Sequence, residues 1–78
     1  METRKLPNLS GREICKALYK DGFQMVSQTG SHIKLKKHKK EGVVLTVIVP
    51  NHDSIRKGLL KAIIKQSGND KHSFLKLL

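Results

Sequence analysis

Seventy-eight residues suffice for a single domain, here taken as 1–78, and a chain this short buries only about 60% of the surface its unfolded form exposes. Sixteen Lys and Arg stand against six Asp and Glu, and the resulting net charge of +10 draws polyanions to the chain, which makes nucleic acid the first candidate partner. One cysteine, Cys15, excludes an internal disulfide and is a poor start for a metal site of about four ligands, while one Tyr and two Phe exclude an aromatic platform for stacked bases.

In the segment from Met1 to Pro7 there is no apolar centre of the kind a signal peptide has. The longest apolar-rich run, Val43 to Val49, falls far short of the roughly 20 residues that span a bilayer. A cytoplasmic protein without membrane contact is the expectation.

Ser10 followed three residues later by Glu13 is a capping box, and Leu9 with Ile14 has the spacing of a hydrophobic staple around it. The first helix is therefore predicted to begin at Ser10 or Gly11, to turn Ile14, Ala17 and Leu18 inward, and to end near Asp21 with Gly22 behind it. From Phe23 to Gln28 the period changes to two, giving a first strand, and Ser27 to Ser31 supplies turn residues. A second strand, Ile33 to Lys37, sends Ile33 and Leu35 to one face and His32, Lys34 and Lys36 to the other.

Four lysines, His38 and Gly42 within Lys36 to Gly42 predict a solvated hairpin loop. Val43 to Val49 is the strongest strand signal, and Pro50 should stop it. This third strand is apolar on both faces: Leu45, Val47 and Val49 can meet the helices, so Val44 and Ile48 must be shielded by neighbours or lie exposed for a protein partner.

Asp53 or Ser54 can cap a second helix with an apolar stripe of Ile55, Leu59, Leu60, Ala62, Ile63 and Ile64, closed by Gly68. Gly58 inside that helix costs about 1 kcal/mol relative to alanine, for which close packing of its backbone on the sheet or a ligand is a reason. Phe74, Leu75, Leu77 and Leu78 predict one short terminal helix. The fold class is α+β, with the helices on one side of a three-stranded antiparallel sheet.

Chemistry in this chain centres on histidine. His38 and His72 read as solvated side chains, and His52 stands between a strand and a helix, where it can position the turn or touch a phosphate. His32 has a richer setting, with Gly30 for a close backbone approach, the Ser31 hydroxyl beside it, and Lys34 and Lys36 on its face. RNA can be cut without a metal when a base takes the 2′-hydroxyl proton and cations stabilise the charge that builds on phosphorus. Glu2, Glu13, Asp21, Glu41, Asp53 and Asp70 are scattered, so a metal-dependent nuclease is disfavoured. Two alternatives remain from these residues: a basic module that holds structured RNA without cutting it, and a small DNA-binding regulator, which lacks a helix face free of core duty.

Leu9-Ser10-Gly11-Arg12-Glu13, Gly22-Phe23, Gln28-Thr29-Gly30-Ser31-His32, Val47-Ile48-Val49-Pro50, Ile55-Arg56-Lys57-Gly58 and Ile63-Ile64-Lys65-Gln66-Ser67-Gly68 occur in the order and spacing of a known family. Over nearly its whole length the chain resembles HicA (YcfA-like) toxins, the small mRNA interferases of HicA–HicB toxin–antitoxin pairs. This resemblance implies a double-stranded-RNA-binding-domain-like α-β-β-β-α fold, endoribonuclease activity on mRNA without a cofactor or metal, and a HicB-like antitoxin as partner. It places His32 at the catalytic position, with Gly30 and Ser31 in the surrounding motif. The expected RNA contacts are Gly30, Ser31, Lys34, Lys36 and Lys57. Leu59, where threonine is common, and the long basic loop from Lys36 to Gly42 depart from the family's pattern.

Overall fold

Ser10 does what its spacing from Glu13 predicts. In the computed structural model, which describes residues 3–78, the Ser10 N–H donates to Glu13 Oε1 at 3.0 Å and the Glu13 N–H donates to Ser10 Oγ at 3.1 Å. Helix α1, Gly11–Lys20, follows directly, with Leu9 and Ile14 both buried across its first turn. It closes through Phe23 N–H to the Leu18 carbonyl and Gly22 N–H to the Tyr19 carbonyl, a Schellman ending. Met1 and Glu2 lie outside the described residues, so what was read from them at the amino terminus and among the acids does too.

Three strands follow in the order β1-β2-β3, each antiparallel to the next: β1 Gln24–Thr29, β2 His32–His38 and β3 Val44–Pro50. Helix α2, Lys57–Gln66, and the short α3, Lys71–Leu75, complete an α+β chain with the expected order of elements. The helices cover one face of the sheet. Ile33 and Leu35 from β2 and Val47 and Val49 from β3 are buried there with Ile14, Leu18, Leu60, Ile63 and Phe74. No helix among the described residues is long and apolar enough to cross a membrane.

The alternation read from the sequence holds through β2 and β3 and breaks once in β1. Gln24 pairs with Lys36 and Met25 with Leu35, but Ser27, not Val26, pairs with Lys34. Val26 is the extra residue of a β-bulge, which leaves Gln24 and Ser27 on one face although they lie three positions apart. Strand β2 also runs through His38, and Pro50 pairs with His32 as the last residue of β3 instead of standing beyond it. As an end residue, Pro50 can join the register without breaking an interior ladder bond.

Neither Asp53 nor Ser54 caps the second helix. Ile55 forms an isolated bridge with Leu9, its N–H donating to the Leu9 carbonyl at 2.8 Å while its side chain is buried in the core. Anchoring Ile55 in this extended segment postpones the helix to Lys57, with Arg56 at the N-cap and no side-chain cap bond. Ile55 thus leaves the predicted helical stripe, and Leu59 and Ala62 face outward, so Leu60, Ile63 and Ile64 are what α2 buries. A β carbon added at Gly58 would meet nothing within 4 Å, so packing within the chain does not call for glycine there.

Gly11 welds α1 to the end of the sheet. The Gly11 N–H donates to the His52 carbonyl at 2.8 Å, and a β carbon at Gly11 would lie 2.0 Å from the Pro50 carbonyl oxygen, so only glycine fits at this crossing. At the far end, Asn69 Nδ2 donates to Asp21 Oδ2 at 3.0 Å, which ties the chain after α2 to the end of α1.

Candidate active site on the open face of the sheet

Thr29 and His32 are cross-strand partners, so Gly30-Ser31 is a two-residue hairpin loop. Gly30 has φ 58° and Ser31 is not among the residues with positive φ, the pattern of a type II′ turn, whose twist matches that of the strands it joins. The Ser31 carbonyl accepts from the Asn51 N–H at 2.6 Å, and Gln28 Nε2 donates to the Gly30 carbonyl at 3.4 Å. His32 is therefore the first residue of a central strand, paired on both sides and fixed behind a pinned turn. Its imidazole is exposed.

The face it occupies is the one the helices leave open. Lys34 and Lys36 share it at successive alternate positions, half-buried among neighbours, and β2 carries the row on to His38. Sequence reading placed His38 in the loop. The signal that recovers it is the unbroken alternation His32, Lys34, Lys36, His38. Paired with this row on β3 are Ile48, Thr46 and Val44, and on β1 Thr29, Ser27 and Gln24. None of the three strands contains Asp or Glu, so no carboxylate on them neutralises these cations.

Lys37, one residue out of phase, illustrates the rule. It lands on the helix side, 3.3 Å from Asp21, with its ammonium 6.0 Å from the Phe23 ring centre. Val44 and Ile48 are each 42% exposed, which answers the question the double-sided strand raised: neighbours do not shield them.

Lys57 is not gathered with the others. It opens α2 in the helical layer, and its ammonium donates to the Leu6 carbonyl. His52 contributes its carbonyl to Gly11, with an exposed side chain, and His72 lies on α3.

Cys15 is buried, and burial pushes its thiol pKa up, which disfavours the thiolate that a nucleophile or metal ligand would need. Four of the five described carboxylates have local duties, Glu13 and Asp70 in capping boxes, Asp21 beside Lys37 and Asp53 3.5 Å from Arg12, while Glu41 stands in the turn before β3. Among the described residues no three His, Cys, Asp or Glu side chains gather as a metal site would require. Sequence reading also missed an open groove between α1 and β1, where Lys16, Tyr19, Met25 and Gln28 meet below Asn51.

Residues 11–68, which include both main helices and the whole sheet, match the family model described as HicA toxin of bacterial toxin-antitoxin. The chain belongs to the HicA toxin family. Comparisons with curated proteins and with solved structures returned no match. Membership makes the chain a toxin of a toxin–antitoxin system and implies an antitoxin partner, and the matched span contains Gly30, Ser31, His32, Lys34, Lys36 and Lys57.

Proposed function

We propose that this HicA-family chain is an endoribonuclease that cleaves mRNA in the cytoplasm, without metal or cofactor, and is neutralised by a HicB-like antitoxin. One observation carries the reading: an exposed imidazole, His32, heads a row of lysines on an acid-free sheet face. In the cleavage step His32 removes the proton from a ribose 2′-hydroxyl, and the 2′-oxygen attacks the adjacent phosphorus. The bond from phosphorus to the 5′-oxygen breaks, leaving a 2′,3′-cyclic phosphate on one fragment and, once the departing oxygen takes a proton from water, a 5′-hydroxyl on the other.

Lys34 and Lys36 stabilise the charge on the phosphoryl oxygens, and the Ser31 hydroxyl and the glycine at position 30 let the RNA backbone approach. Lys57 meets RNA from the helical layer, apart from this row. General base assistance contributes about 10² to 10⁴ in rate, so the enzyme is a modest nuclease, suited to a regulated toxin. The element order α-β-β-β-α is that expected of a double-stranded-RNA-binding-domain-like fold. An antitoxin that covers the His32 face would shut off the reaction and would also bury Val44 and Ile48.

The test is incubation of the purified chain in EDTA with end-labelled RNA and with DNA of the same sequence. The reading expects fragments with cyclic phosphate ends from RNA alone, and their loss when a co-purified antitoxin is added. Binding of RNA with no fragments would leave a non-catalytic RNA-binding module, and equal cutting of DNA would exclude 2′-hydroxyl chemistry.

A further inference from the structure

The row His32, Lys34, Lys36, His38 has a repeat set by the strand itself. Alternate residues of a β-strand recur about every 6.6 Å, which is close to the reach of one nucleotide in an extended single strand. Four groups able to carry positive charge therefore stand in line at one-nucleotide intervals on β2. Beside them on β3 run Val44, Thr46 and Ile48, in register with His38, Lys36 and Lys34, apolar or uncharged and exposed. One lane suits phosphates and the adjacent lane suits the faces of bases. Beyond His38 lies a hollow lined by Lys37, Lys39, Lys40 and Val43, in which Glu41 sets one negative charge among the lysines.

We infer that the open face is a track for one extended RNA strand of about four nucleotides, its phosphates following β2 from His32 to His38 and its bases lying over Val44, Thr46 and Ile48. This rests on the ribonuclease reading and deepens it by naming the substrate as single-stranded. A duplex offers its phosphates along a helical path and turns its bases inward, so it can meet neither lane along its full length. Because the repeat belongs to the β2 backbone, the spacing is fixed before RNA arrives. Proteins that hold single strands without reading sequence combine a basic backbone-tracking groove with aromatic side chains for the bases, and in this chain the exposed row Val44, Thr46 and Ile48 takes the place of the aromatics. His38 then has a stated role, a contact at the end of the track away from the reacting bond.

The experiment measures affinity for 2′-O-methyl oligouridylates of two to eight nucleotides, which lack the nucleophilic hydroxyl, and for an eight-base-pair duplex of the same chemistry. The inference expects affinity to climb with each nucleotide up to four and to gain little afterwards, and the duplex to bind more weakly than the single strand. In His38→Ala the gain from the third to the fourth nucleotide disappears. In Lys36→Gln the slope of log affinity against log salt falls by about 0.7. Ile48→Ser weakens the tetranucleotide several-fold.

Affinity that does not depend on length beyond two nucleotides, or a duplex that binds more tightly, overturns the track. Unaltered binding by Ile48→Ser overturns the base lane and leaves that strip to a protein partner. Cleavage of unblocked RNA is scored separately. Length steps without cleavage support the track while removing the ribonuclease reading, and cleavage without length steps does the reverse.

Discussion

The backbone of Gly11 lies against the carbonyl of Pro50, the residue that pairs with His32 across the sheet. The start of α1 is thus packed directly onto the end of β3 that borders the Gly30-Ser31 turn, and the Asn51 N–H continues the connection by donating to the Ser31 carbonyl.

Gly11→Ala should therefore be among the most damaging single-methyl additions in the chain. The β carbon would sit 2.0 Å from a backbone oxygen, so no flexible side chain can yield and α1 must shift from the sheet. The expected loss is about 1–3 kcal/mol, the range for forcing extra volume into a packed site. Urea unfolding of the variant beside the wild type measures it. A change within error would mean that the contact at Pro50 relaxes freely.

Gly58→Ala should act in the opposite direction. Space around Gly58 is open and the residue is in the first turn of α2, so alanine should stabilise by about 0.5–1 kcal/mol through helix propensity alone. Thermal unfolding reads the gain, and a loss of stability would show a contact that the geometry does not contain.

Acid should weaken the start of α1 through Glu13. The Ser10 N–H and hydroxyl hold the Glu13 carboxyl below the ordinary glutamate range. With its pKa depressed in the folded state, the charged form stabilises the fold above the unfolded value of about 4.3, and that contribution is lost as pH falls through the lowered folded value. Glu13→Gln should therefore be less stable than wild type at pH 7, with the difference shrinking by pH 3. Ser10→Ala, which removes the cap itself, should cost about 1 kcal/mol at neutral pH. Melting curves at the two pH values check both, and a Glu13→Gln deficit that grows in acid would reverse the sign.

Local signals were legible where one interaction decides the outcome. Ser10 with Glu13 placed the start of α1, and the alternation around Ile33 and Leu35 placed His32 on the open face with Lys34 and Lys36. What could not be read depended on contacts distant in sequence. Ile55 has the periodicity of a helix residue, but its bridge to Leu9 holds it in extended backbone, so the caps at Asp53 and Ser54 go unused. The Val26 bulge is also settled by pairing with β2, and no residue in β1 announces it. Lys57 was grouped with Lys34 and Lys36 as an RNA contact, but folding sets it in the helical layer beside the Leu6 carbonyl. His38 was assigned to the loop because its lysine-rich neighbours masked the last residue of β2.

The most direct measurement compares RNA cleavage in EDTA by wild-type protein and by His32→Ala. His32 is exposed on the helix-free face, so the variant should unfold at nearly the wild-type midpoint. Its cleavage rate should fall by about 10² to 10⁴, the contribution of a positioned general base. A folded His32→Ala protein that cuts RNA at the wild-type rate would contradict the central claim and move the chemistry away from this turn.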